Sequence, residues 1–269
     1  MAARVLVVGH VTHDRYGDAI VPGGCAWYGA LAYRHLGADY HLACGVGTDF
    51  VLDSELRDVP HTIHREGATT VFTNLYPAHA PRIQLLEAQA PMLPPGDLDP
   101  RWLAADLVHL APVLGEIDLA SWKDASKARI LGLNVQGFIK RGSDSVDRDE
   151  IISALGAEAA ALIRGRRVVQ APWDVTVDEL RGVDVACCSD EDLIGQGDLL
   201  DRLRAAVPTV ALTHGVEGST IFHPGGIVRV GIVPDVKVGD LTGAGDTYAA
   251  GFLNALASGA PVERAARLA

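Results

Sequence analysis

The sequence has no apolar run approaching the ~18 residues that a membrane-spanning helix needs. Its first apolar stretch, "RVLVVGHV" from Arg4, is short and no cleavage-site pattern follows it, so it reads as a buried strand rather than a leader. Cysteine is scarce: Cys25, Cys44, Cys187 and Cys188, with no C-x-x-C pair. That excludes a disulfide framework and a zinc ribbon, and it fits reduced thiols in the cytoplasm. Positive charge is in short supply too. Lys and Arg number 23 against 34 Asp and Glu, a formal net charge of −11, which makes nucleic acid and anionic membrane poor partners. Two nucleotide-binding loops are missing. No G-x-x-x-x-G-K-[ST] occurs, and "GHVTHD" after the first strand lacks the G-x-G-x-x-G that brings a dinucleotide pyrophosphate close. Histidine is not scarce, at ten residues, but the pairs His10/His13 and His61/His64 lie in strand or loop segments with no cysteine to complete a zinc set. His10 and His13 flank the end of the first strand, where open α/β sheets bind ligands, and are candidates to touch substrate.

What remains is ample apolar material. Apolar residues make up 48% of 269, enough for one large α/β domain with a small appendage. Short β-branched runs ("RVLVVG", "DLVHLAPV", "RILGLNVQ", "VDVACCS", "TVALTHG") alternate with helical spacing ("CAWYGALAYRHLG", "DEIISALGAEAAALI", and the segment after Gly243). This alternation predicts a mainly parallel sheet between helical layers. "GSTIFHPGGIVRVGIV" predicts a hairpin turning at Pro224–Gly226. Residues 61–89 read instead as a β meander, the best candidate for the appendage.

The chemistry concentrates in "DLTGAGDTYAAGF", Asp240 to Phe252. A helix start leaves backbone N–H groups unpaired and carries partial positive charge. Glycines let that backbone approach an anion, so Gly243, Ala244 and Gly245 form a candidate phosphate or oxyanion cradle. Asp246, in the first turn, is placed to take a proton from a hydroxyl attacking a phosphoryl group. The bland alternative is an acidic first turn beside packing glycines.

These residues resemble the C-terminal signature of the ribokinase-like, or PfkB, carbohydrate kinases, D-T-x-G-A-G-D, with Leu241 in its second position. Other segments are similar in the same order, from residue 4 to about residue 258. The resemblance implies a three-layer α/β/α fold with a β lid from about residues 10–22 and 61–89, and transfer of a phosphoryl group from ATP to a small sugar, polyol or nucleoside hydroxyl. It implies Asp246 as base and the Gly243–Gly245 amides as anion hole. "GHVTHD" would supply Asp14 and "GGCAWYGALAYRHLG" would supply Gly23 and Gly24 for the substrate; "GVGTD" is similar to the family's G-x-G-x-D. "THGVEGS" would put Thr213, Gly215 and Gly218 on the nucleotide. "SDED" stands where N-x-x-E organises Mg2+, with Ser189 for the Asn and Asp192 for the Glu, so metal contact would run through water. Asp240 either faces a monovalent cation such as K+ or caps the loop. A homodimer through the lid edge is a further expectation.

One departure bears on the substrate. Tyr28 stands where relatives place an Asn, which points to a different substrate, to stacking of Trp27 and Tyr28 on a nucleoside base, or to helix packing. "GLNVQGFIKR" resembles the D-x-Q-G-F-x-R stretch of relatives close to inositol kinases; it offers Asn134 and Gln136 to substrate and Lys140 and Arg141 to phosphates, or else is a solvated basic turn. The readings left open are an inositol-like or pentose/hexose kinase, a nucleoside kinase, and a non-catalytic sugar or nucleotide sensor.

Overall fold

A computed structural model describes residues 2–76, 82–96, 98–144, 151–152, 164–234, 239 and 241–269. Asp240 and most of the helix expected at "DEIISALGAEAAALI" lie outside them.

The predicted parallel sheet is present. It contains β1 (Arg4–His10), β4 (Asp39–Val46), β5 (His61–Arg65), β8 (Leu107–Leu110), β9 (Ile130–Asn134), β12 (Val185–Ser189), β13 (Thr209–Thr213), β14 (Ser219–His223) and β15 (Gly226–Val230). Their order is β15-β14-β13-β12-β9-β8-β1-β4-β5. All neighbours pair in parallel except the β13–β14–β15 meander, which includes the predicted hairpin. Strand alternation sends successive side chains of β1 to opposite faces. Val5 and Val7 pack toward α1 (Cys25–His35) and the helix Ala244–Ala257, along with Tyr33, Phe252 and Leu253. Leu6 and Val8 join the other layer with Trp102, Trp122, Leu180 and Leu203, from the helices Pro100–Leu103, Leu119–Ala125, Val177–Leu180 and Leu199–Ala206. Two buried layers on one twisted sheet make a three-layer α/β/α fold.

A second, six-stranded sheet covers one end of the first. It runs β10-β11-β7-β6-β2-β3, with β2 (Thr12–Tyr16), β3 (Ala19–Gly23), β6 (Val71–Leu75), β7 (Ile83–Ala88), β10 (Lys140–Gly142) and β11 (Arg166–Gln170). Its make-up differs from the sequence reading in two ways. Residues 61–65, expected in this lid, pair in parallel with β4 at the edge of the main sheet. In exchange the lid gains β10, from the segment whose alternative reading is a basic turn, and β11.

Candidate functional site

Between the lid and the strand ends lies a cleft of about 680 Å³. Asp14, Phe72, Gln84 and Lys140 reach it from the lid; Asn134, Gln136, Ser189, Asp192 and Thr213 reach it from the ends of the main strands; Gly243 to Asp246 close its floor.

The floor is the start of the long helix Ala244–Ala257. Its N-cap is Gly243, in the left-handed region at φ 77°. That conformation favours glycine, and so does the crowding: a Cβ at 243 would lie 2.5 Å from Cγ of the Tyr28 ring. Tyr28 therefore backs the loop. Its neighbour Trp27 is buried in the core, so the pair presents no paired ring faces to a base.

Asp246 sits one turn in. Asn134 Nδ2 donates to its Oδ1 at 3.1 Å. Burial raises its carboxyl to about 6, against the opposing pulls of hydrogen bonding from the Cys25 thiol, the charge of Lys140 and the hydrogen bond from Asn134; Asp192 adds to the rise. A carboxylate held near neutral pH, lining a cleft, has the character of a general base. Lys140 faces the same carboxylates, and burial lowers its ammonium from the ordinary lysine value.

On the substrate side Asp14 is 6% exposed and accepts from Thr12 Oγ1 at 2.6 Å, with Asn74 Nδ2 at 3.5 Å. Burial raises its carboxyl, opposed by these bonds and by Arg82. On the other side Asp192 is 7% exposed; Ser189 N donates to its Oδ2 at 2.8 Å while Asp192 N donates to Ser189 Oγ at 3.1 Å. That reciprocal pair holds the carboxylate at the cleft wall. Among the described residues no group of three or more His, Cys, Asp or Glu side chains forms a metal cage. Magnesium that arrives with phosphates needs only one or two carboxylates, water filling the rest of its octahedron, and Asp192 fits that role.

Most expected site residues meet here: Asp14, Gly24, Tyr28, Asn134, Gln136, Asp192, Thr213, Gly215 and the Gly243–Asp246 run all line the cleft. Four expectations need correction. Arg141 is exposed outside it, because alternation along β10 turns Lys140 in and Arg141 out. Gly23 stands behind Asp14, where a Cβ would overlap that carboxyl. Gly218 lies outside the lining too; a side chain there would overlap the Val230 carbonyl. His10 and His13 are buried away from substrate, His10 between Thr70 Oγ1 (3.0 Å) and the Pro91 carbonyl (2.9 Å), His13 stacked on Phe50 and accepting from Val51 N (3.2 Å). Sequence reasoning missed Cys25, whose Sγ accepts from Gln136 Nε2 at 3.4 Å, and His214, whose ring pairs with Asp190 at 2.6 Å.

Comparison with known proteins agrees with this geometry. Residues 178–269 match the pfkB family carbohydrate kinases. The fold is that of solved ribokinase-family structures. Among solved structures, a pyrophosphate-dependent kinase of the ribokinase family, complexed with a pyrophosphate analogue and myo-inositol, is similar at 20% identity and TM-score 0.74, over 98% of this chain and 91% of that one. Arabidopsis thaliana ribokinase, with ribose and ATP, is similar at 18% identity and TM-score 0.68, over 99% and 90%. A nucleoside kinase of Methanocaldococcus jannaschii is similar at 17% identity and TM-score 0.67, over 99% and 88%. The pfkB match spans about the C-terminal third of the chain, and the fold is shared with sugar, inositol and nucleoside kinases.

Proposed function

We propose that the protein phosphorylates one hydroxyl of a small polyol or sugar, inositol-like in its display of hydroxyls, with ATP as donor. The observation that carries this reading is the meeting of Asp246, the Gly243–Gly245 backbone and Asp14 in one cleft. Asp14, Gln84, Asn134 and Gln136 offer acceptors and donors to several hydroxyls. Asp246 takes the proton from the attacking oxygen. The Gly243–Gly245 amides neutralise charge on the group in transfer, where preorganised donors are worth most. Thr213 and Gly215 hold the donor side, and Asp192 holds Mg2+ through water; the ion supplies neutralisation of the donor phosphates. Gly24 brings backbone close to substrate, and the lid excludes water that would otherwise accept the phosphoryl.

Three lesser readings accompany this one: K+ near the anion-hole loop, a homodimer through the lid edge β3, where Ile20 and Val21 are exposed, and a cytoplasmic setting for the free thiols. The test is product formation across inositols, pentoses, hexoses and nucleosides, with ATP and, because one relative uses it, pyrophosphate as donors. Phosphorylated polyol with ADP is expected. Ligand-induced stabilisation with no product from any pair would replace the kinase with a sensor.

A further inference from the structure

Behind Asp246 runs a file of buried polar side chains, of which Asn134 lines the cleft while Tyr33 and His109 do not. Tyr33, on α1, is fully buried, and its hydroxyl lies 3.0 Å from His109 Nδ1, the rings meeting edge-to-face at 6.0 Å. His109, on β8, is fully buried too, and its Nε2 lies 3.0 Å from Asn134 Oδ1. Asn134, at the end of β9, is 5% exposed and reaches Asp246. A polar histidine between Val108 and Leu110 in a core strand needs partners on both ring nitrogens, and it has them.

The direction of every proton in this file follows from its end. An ionised carboxylate only accepts, so Asn134 must present its N–H to Asp246 and turn its carbonyl inward. A carbonyl also only accepts, so His109 must carry its proton on Nε2. Nδ1 is then bare and accepts from the Tyr33 hydroxyl. Burial holds the imidazole neutral, lowering it to about 4, so one tautomer is selected rather than a doubly protonated ring. Donors aligned head to tail polarise one another.

We propose that Tyr33 and His109 are positioning residues: they lock the Asn134 amide so that its N–H, and not its carbonyl, meets Asp246. The proposal deepens the reading of Asp246 as base and rests on it. Without the Tyr33 hydroxyl the ring is free to move its proton to Nδ1, bare Nε2 then opposes the Asn134 carbonyl, and the amide turns over. A carbonyl facing Asp246 disfavours its ionised form. The other groups that bear on Asp246 are Cys25 from α1, Lys140 from β10 and Asp192 beyond β12, and none of them contacts Tyr33 or His109 by a hydrogen bond.

The first test needs no turnover. Ring-nitrogen NMR of the full chain at pH 8, the His109 signals assigned by their loss in His109→Gln, is expected to show the Nε2–H tautomer; an Nδ1–H tautomer overturns the proposal. The second uses Tyr33→Phe, which keeps the shape of the core. Losing a hydrogen bond to a charged group is expected to move the acid limb of kcat up by about one pH unit, with KM for both substrates within about twofold of wild type. His109→Leu is expected to do the same, and His109→Gln, which can still donate to Asn134, to bring the limb back toward wild type. A folded Tyr33→Phe or His109→Leu with an unmoved acid limb overturns the proposal. Failure of the base reading looks different: Asp246→Asn would then keep its turnover, whatever tautomer His109 shows.

Discussion

The Tyr28 ring lies against the Cα of Gly243, close enough that a methyl group there would sit 2.5 Å from the ring's Cγ. Tyr28 thus supports the residue that opens the proposed anion hole. Gly243→Ala meets both that ring and a left-handed backbone, so the first turn must shift and its amides lose their aim. Turnover is expected to fall by roughly 10²–10³, the cost of a lost oxyanion donor. Gly245→Ala, whose methyl meets open space, is expected to cost less than about tenfold by the same kinetic assay.

Asp246→Asn removes the proposed base and leaves its shape. Turnover is expected to drop by roughly 10²–10⁴ with little change in KM for the donor. Equal turnover with the true substrate would remove Asp246 from that role.

The pH profile carries the same residue in another form. With Asp246 at about 6, kcat should fall as pH drops below that value. Stability moves oppositely. A carboxyl whose folded value is raised above 3.8 favours the fold most when protonated, below about pH 4, and that contribution is lost as pH rises through about 6. Asp246→Asn, which cannot ionise, should therefore be more stable than wild type at pH 8, by an amount on the order of 2–3 kcal/mol, and show little gain at pH 4. Denaturant melts at the two pH values check it.

Lys140 and Arg141 separate what the sequence left together. Lys140→Met withdraws the cation that faces Asp246 and Asp192, and kcat/KM for the donor is expected to fall by about 10–100-fold. Arg141→Met, on the exposed face, should stay within about twofold of wild type. Steady-state kinetics on the pair decide it.

Why one residue and not its neighbour is a matter of strand phase. Arg141 pairs with Val169 across β10 and β11, and that register sets which side chain turns inward. Nothing local in "FIKR" encodes it, because β11 lies more than twenty residues away. The same limit hid His109, which looks like an ordinary core position in "LVHL"; its two ring partners, Tyr33 on α1 and Asn134 at the end of β9, are far away in sequence. It also misplaced residues 61–65, whose parallel partner β4 is fixed by the edge left open in the main sheet. The place of the Gly243–Asp246 run at a helix start was legible because its signal is local: glycines, helix start and carboxylate are neighbours in the chain. The α/β alternation was legible because burial on both faces of a parallel sheet writes continuous apolar runs.

The lid's borrowed strand carries a mechanical consequence. Because β10 begins at Lys140, any swing of the small sheet over the cleft moves that ammonium as one piece with Asp14 on β2. On the proposed function, capturing an alcohol and bringing up the counter-charge for its phosphorylation become a single stroke.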